Sequence, residues 1–193
     1  MTKKIFMIAG PNGGGKTTTA MSLIASKEID EFLNADEIAR GLAPVHPESV
    51  SLAASKLLLK RLRELLGARK NFSFETTASG TNYIKYLKEA QEVGYIIYLM
   101  FLWLPGPDLA IERVAHRVKQ GGHFIPEDVI RRRYYTGLKN LLTYYLPIAN
   151  QALILDNAVV GSTKVIVRKH ADGNLEIKKP IIWEEIREQV YGK

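Results

Sequence analysis

Gly10-Pro11-Asn12-Gly13-Gly14-Gly15-Lys16-Thr17 has the residue types and the spacing needed to hold a triphosphate, fitting G-x-x-x-x-G-K-[ST]. Its glycines let successive backbone N–H groups turn inward around an anion, and a following helix adds its positive end. Lys16 is then able to reach the β- and γ-phosphates, and the Thr17 hydroxyl can ligate Mg²⁺. The nucleotide-binding residues expected from this stretch are Gly10, Asn12, Gly13, Gly14, Gly15, Lys16, Thr17 and Thr18. Such a pattern carries weight only between a strand and a helix. Ile5 to Ala9 is a short apolar run readable as a buried parallel strand, and Thr17 to Ser26 reads as the first turns of a helix.

Two acids stand at the ends of later predicted strands, Asp36 after Glu31–Ala35 and Glu75 in Asn71–Thr77. Transfer of a phosphoryl group needs Mg²⁺ near the β- and γ-phosphates and an acceptor hydroxyl in line. One acid can hold the metal's water shell and the other can take the hydroxyl proton. That proton moves late in a loose transition state, so an ordinary aspartate suffices. The plain alternatives are an N-cap role for Asp36 and a surface ion pair for Glu75.

The elements that must position these groups alternate along the chain. After the first strand and helix, Glu31–Asp36 is a brief strand and Glu37–Leu42 a helical turn. A long helix opens at His46-Pro47-Glu48 and runs through Leu52, Leu57, Leu58, Leu62 and Leu65 to Gly67, with Lys56, Lys60, Arg61 and Arg63 on its other side. Asn71–Thr77 is a strand, Thr81–Gly94 a helix, and Tyr95–Leu104 a strongly apolar strand. Helices over Pro107–Gln120 and Pro126–Leu146 precede a last core strand, Gln151–Asp156. Thr163–Lys179 alternates around Ala171-Asp172-Gly173-Asn174 as a hairpin, and Ile181–Tyr191 closes the chain as a helix. This order predicts an α/β fold: a parallel sheet flanked by helices on both faces, in one domain over residues 1–193. Ligands gather at the carboxyl ends of such strands, so the glycine loop, Asp36 and Glu75-Thr76-Thr77 are expected around one crevice.

Helix periodicity sorts the arginines. Ile111, Val114 and Val118 share a face, with Arg113 and Arg117 one turn apart on its flank. In the next helix Ile130, Tyr134, Leu138, Leu141 and Tyr145 form the buried stripe. Arg131 and Arg133 flank it, and Arg132 points away. With Gly121-Gly122 between the helices, residues 107–135 read as a lid that brings charge to the phosphates on closing. The expected catalytic set is Lys16, Asp36, Arg113 and Arg117.

Composition narrows the classes. The chain has 193 residues, 46% hydrophobic and 24% charged, enough for a real core and unlike a disordered chain. There is no cysteine, hence no disulfide framework or thiolate metal site, which fits a cytoplasmic protein. Lys3-Lys4 mimics a secretory leader, but the apolar part is too short and runs into the glycine loop. Tyr95–Pro105 is too short to span a bilayer as a helix. A net charge of +7 suits an anionic ligand.

These residues together resemble the zeta-toxin family of P-loop kinases, over about Lys4 to Leu155. The resemblance rests on the glycine loop, on Asn34-Ala35-Asp36, on Phe74-Glu75-Thr76-Thr77 and on Ile111-Glu112-Arg113. It implies a P-loop fold with a helical lid, and ATP- and Mg²⁺-dependent phosphorylation of a hydroxyl on UDP-N-acetylglucosamine or another small molecule. It also implies an antitoxin partner. By motif, Asp36 matches the family's base, Glu75 with Thr77 its substrate-binding pair, Lys16 its phosphate lysine and Arg113 its first lid arginine. Arg131 and Arg133, from their place on the helix, are counted with the acceptor, and Thr17 and Glu75 with the metal. The second lid arginine departs from the family, since Gly121-Gly122-His123 fills that stretch. Arg117 or an arginine of 131–133 could substitute.

Other classes fit less well. No LSGGQ-like stretch supports a transport ATPase, and a nucleotide switch has no use for a poised base. A nucleic-acid kinase or ATP-dependent nucleic-acid-binding protein would use the basic helix 56–70, but no stretch interleaves aromatics with basic residues.

Overall fold

The computed structural model describes residues 2–25, 29–122 and 124–192, with the backbone alone for 22–25. Ser26, His123 and Lys193, included in the expected first helix, lid and closing segment, lie outside the described residues. One seven-stranded sheet runs in the order β2-β3-β1-β4-β5-β6-β7. Its strands are β1 (Lys3–Ala9), β2 (Glu31–Leu33), β3 (Phe72–Thr76), β4 (Tyr95–Trp103), β5 (Gln151–Asp156), β6 (Lys164–Lys169) and β7 (Leu175–Ile177). The first five are mutually parallel, and the expected hairpin, β6 and β7, continues the sheet antiparallel from β5.

The helices are α1 (Lys16–Ala25), α2 (Ala35–Leu42), α3 (Ser51–Gly67), α4 (Tyr83–Glu92), α5 (Pro107–Lys119), α6 (Glu127–Asn140), α7 (Leu146–Ile148) and α8 (Pro180–Tyr191). Two differences from the sequence reading have local causes. The long helix begins with a 3-10 turn at Pro47–Val50, where proline leaves one fewer N–H to satisfy. The expected helix 126–146 passes through a π turn at Leu141–Tyr145 before ending in α7.

Alternation along the strands divides the core in two. Ile5, Met7 and Ala9 join Phe72, Phe74, Tyr95 and Ile97 in a large cluster with Leu58, Leu62, Leu87, Tyr134, Leu138 and Trp183. On the other face Ile8, Leu102 and Leu155 pack with Ala20 of α1 in a much smaller one. Helices therefore cover both faces, unequally. The expected stripe of helix 126–146, Ile130, Tyr134, Leu138, Leu141 and Tyr145, is buried throughout α6 and the π turn. In α3 the buried side is Ala54, Leu58, Leu62 and Leu65, whereas Leu52 and Leu57 are exposed. Among the described residues, no helix is long and apolar enough to cross a membrane.

The two α3 leucines give a paired test. Leu58→Ala, at 0% exposure, should lower unfolding free energy by about 2–5 kcal/mol, and Leu52→Ala, at 69%, by less than about 0.5 kcal/mol in the same denaturant titration.

Candidate active site

Register assembles the site. Ala9, the last residue of β1, lies opposite Thr76 of β3 and Phe101 of β4. Leu33 pairs with Phe74, which sets Asn34 beside Glu75. The strand order sends the chain from β1 and from its neighbour β3 in opposite directions, opening a crevice at their carboxyl ends. The glycine loop crosses that crevice. Gly10 has φ +142°, and a Cβ there would overlap the Leu102 carbonyl oxygen. Only glycine allows both.

Glu75 joins the parts. Its Oε2 accepts from Thr17 Oγ1 at 2.8 Å and from Asn34 Nδ2 at 3.1 Å. Its Oε1 lies 3.7 Å from Lys16 Nζ, which also donates to the Pro11 carbonyl at 2.9 Å. Lys16 is only 6% exposed. Burial holds its pKa below the ordinary lysine value, against the raising effect of Glu75 and Asp36; the nearby Arg117 charge lowers it further. Asn34 is also the N-cap of α2, its Oδ1 accepting from Asp36 N at 2.8 Å and Glu37 N at 3.4 Å.

Asp36 is therefore not at a strand end, as expected, but in the first turn of α2, because β2 stops at Leu33 and Asn34 takes the cap. It still lines the crevice, together with Asn12, Lys16, Glu75, Thr77 and Arg133. Tyr83 lines it too, its phenol pushed up to about 12 chiefly by burial. Asn12 is 6% exposed and its Oδ1 has no hydrogen-bond partner. Thr77 Oγ1 lies 2.8 Å from Ser79 Oγ, which faces the same crevice.

The arginines separate. Arg113 braces the glycine loop against the segment after β5, donating to Ala158 O at 2.7 Å and Gly13 O at 3.5 Å. Arg117 is close enough for its charge to act on Lys16. Arg133 reaches the crevice, and among the described residues it has no ion-pair partner. Arg131 does not line the crevice: it pairs with Asp108 at 2.6 Å, tying α6 to the start of α5. Arg132 is exposed. Thr18, counted with the nucleotide, is exposed in the first turn of α1.

Three contributors received no role from the sequence. Asn34 was legible, since asparagine is a favoured N-cap ahead of an acidic first turn. Asn157, which donates to Gly14 O at 2.8 Å, and Ser79 had no signal in the sequence; strand register and loop shape bring them in.

A parallel sheet whose central strand feeds a glycine loop, with a buried lysine and an acid-lined crevice beside it, defines a kinase-like P-loop fold. The chain belongs to the AAA_33 family, an AAA domain, which it matches over residues 5–136. An uncharacterized protein of Haemophilus influenzae is 28% identical over 134 residues, 69% of this chain and 94% of that protein. Among solved structures, the AvrRxo1-ORF1:AvrRxo1-ORF2 complex with sulphate superposes with TM-score 0.75 at 17% identity, covering 96% of this chain. This chain spans 63% of that protein's length. The PezAT toxin–antitoxin system of Streptococcus pneumoniae gives 0.66 at 13% identity, covering 100% of this chain and 80% of that one. A gluconokinase from Sinorhizobium meliloti gives 0.52 at 16%, covering 99% and 91%.

Burial of Lys16 makes a pH test. A lysine with a lowered folded pKa binds fewer protons than in the unfolded chain, so stability rises with pH as it approaches the ordinary value of 10.5. Lys16→Met removes that contribution. The stability of wild type relative to Lys16→Met in chemical denaturation should thus rise as pH climbs toward 10.5. A constant difference would mean that Lys16 is not held in a desolvated site.

Proposed function

We propose that this protein is a kinase transferring the γ-phosphate of ATP to a hydroxyl of a small molecule bound in the crevice between α2 and the β3–α4 loop. One observation carries the reading: Lys16 of the phosphate loop, Glu75 beside it and Asp36 line one crevice. In this reading the amides of Gly13, Gly14 and Gly15 and the Lys16 ammonium hold the β- and γ-phosphates. Arg117, whose charge already reaches Lys16, adds positive charge there, while Arg113 keeps the loop in shape from behind.

Asp36 accepts the acceptor hydroxyl's proton. It hangs from the first turn of α2 and is aimed by the Asn34 cap. Thr17 and Glu75, already within hydrogen-bond reach of each other, fit a Mg²⁺ that keeps most of its waters, and that ion would neutralise charge developing on the phosphates. Thr77, with Glu75, contacts the acceptor, and Arg133, which has no ion-pair partner among the described residues, supplies a seat for an anionic group on it.

The acceptor class follows from the family resemblance and from Arg133: a nucleotide sugar, UDP-N-acetylglucosamine first. An antitoxin partner is part of the same reading, supported by fold neighbours that were solved as AvrRxo1-ORF1:ORF2 and studied as PezAT. The whole chain acts as one unit in the cytoplasm, where ATP is available.

Three experiments test this. With labelled ATP, nucleotide sugars, neutral metabolites and a 5′-hydroxyl oligonucleotide are offered as acceptors. Label is expected on a nucleotide sugar; label on the oligonucleotide alone would make the protein a nucleic-acid kinase. Asp36→Asn should lose at least about 10²-fold in turnover with ATP affinity changed only a few-fold, as for a general base. Separately, Glu75→Gln should bind ATP more tightly than wild type without Mg²⁺ and gain less from adding it. Titration calorimetry reads both, and an unchanged Mg²⁺ gain would remove Glu75 from the metal's surroundings.

A further inference from the structure

The loop between β3 and α4 carries backbone strain that its own residue types do not call for. Ala78, fully buried, has φ +57°. Residues with a side chain avoid that left-handed region. Strain of this kind persists where surroundings over-determine it, and it concentrates at ligand clamps.

Here the surroundings are α6 and the π turn that follows. Asn140, 6% exposed, donates Nδ2 to the Ala78 carbonyl at 2.9 Å. Gly137 passes so close that a Cβ there would lie 2.6 Å from the Thr77 carbonyl oxygen. The Tyr145 hydroxyl donates to the Gly80 carbonyl. Asn140 and Tyr145 are five positions apart, which on a regular α-helix separates their directions by about 140°. The wider π turn at Leu141–Tyr145 brings both onto one side, the use such turns often have near functional sites. From inside the loop, Thr76 Oγ1 accepts from Ala78 N at 3.1 Å.

What this clamp shapes is the wall presented by Thr77 and Ser79 to the crevice. One turn before Gly137, the same helix presents Arg133 to the same space. We propose that Asn140 and Gly137 are positioning residues for acceptor recognition, holding the Thr77–Ser79 loop in a strained shape matched to the acceptor. The proposal rests on the reading of the crevice as the acceptor site. Asn140 bonds to Ala78 and not to the phosphate loop, so its effect should fall on the acceptor and spare the nucleotide.

Hydrogen exchange by mass spectrometry, on the full chain, tests the clamp without knowledge of the acceptor. Asn140→Ala should speed exchange of the 76–80 amides at least about tenfold. Its Mg²⁺-ATP affinity and its slow transfer of phosphate to water should stay within about twofold of wild type. Transfer of labelled phosphate to the organic fraction of a small-molecule extract should drop about tenfold, as misplacement of a reactant does. Adding Ala78→Gly, which removes the cost of the left-handed backbone, should restore that transfer. A purely structural role would lower the melting temperature and reduce binding and both transfers together. Unchanged loop exchange in Asn140→Ala overturns the proposal. If wild type labels no organic acceptor, the kinase reading fails, while the exchange result still decides whether α6 holds the loop.

Discussion

The Glu75 carboxylate is the junction on which the site depends. It stands at the end of β3, next to the strand that feeds the phosphate loop, and it meets a buried ammonium, a hydroxyl and an amide. The contacts tie together two elements besides β3: Lys16 and Thr17 at the start of α1, and Asn34 at the cap of α2. A buried lysine without a partner is costly, and a carboxylate beside it offsets that cost. The same carboxylate is the wall shared by phosphate loop and crevice. An acid here thus satisfies polar groups of the fold itself and sits where phosphates, metal and acceptor would converge.

Sheet topology makes this junction possible. Parallel pairing in register sets Ala9 opposite Thr76 and Leu33 opposite Phe74, so segments far apart in sequence end at one level. Most of that frame was legible from the chain alone. The apolar run before the glycine loop, the acids after later runs and the buried stripe of α6 report local periodicity, which burial enforces. The resemblance to zeta-toxin kinases reached the same crevice from motifs, and the fold neighbours agree with it at the level of architecture.

What the sequence hid is chiefly which neighbour each group meets. Nothing about Ala78 announces a left-handed backbone, because Asn140 and Gly137, about sixty residues on, impose it. Asn157 packs on the glycine loop only because β5 ends beside it. Arg131 and Arg133 looked equivalent flanks of one stripe, yet Asp108 takes the first and leaves the second to the crevice. Asp36 shifted from strand end to helix turn because Asn34, not the acid, took the cap. Periodicity fixes which face is buried; it does not say which neighbour waits there.

The central claim is that phosphate is handed from the loop, past Glu75, to the space in front of Asp36. A crystal structure with Mg²⁺ and a non-hydrolysable ATP analogue tests it most directly. The account predicts β- and γ-phosphates on Lys16 and the loop amides, the metal between Thr17 and Glu75, and the γ-phosphate facing Asp36 and Thr77. A triphosphate bound with its γ-phosphate turned away from that crevice would contradict it.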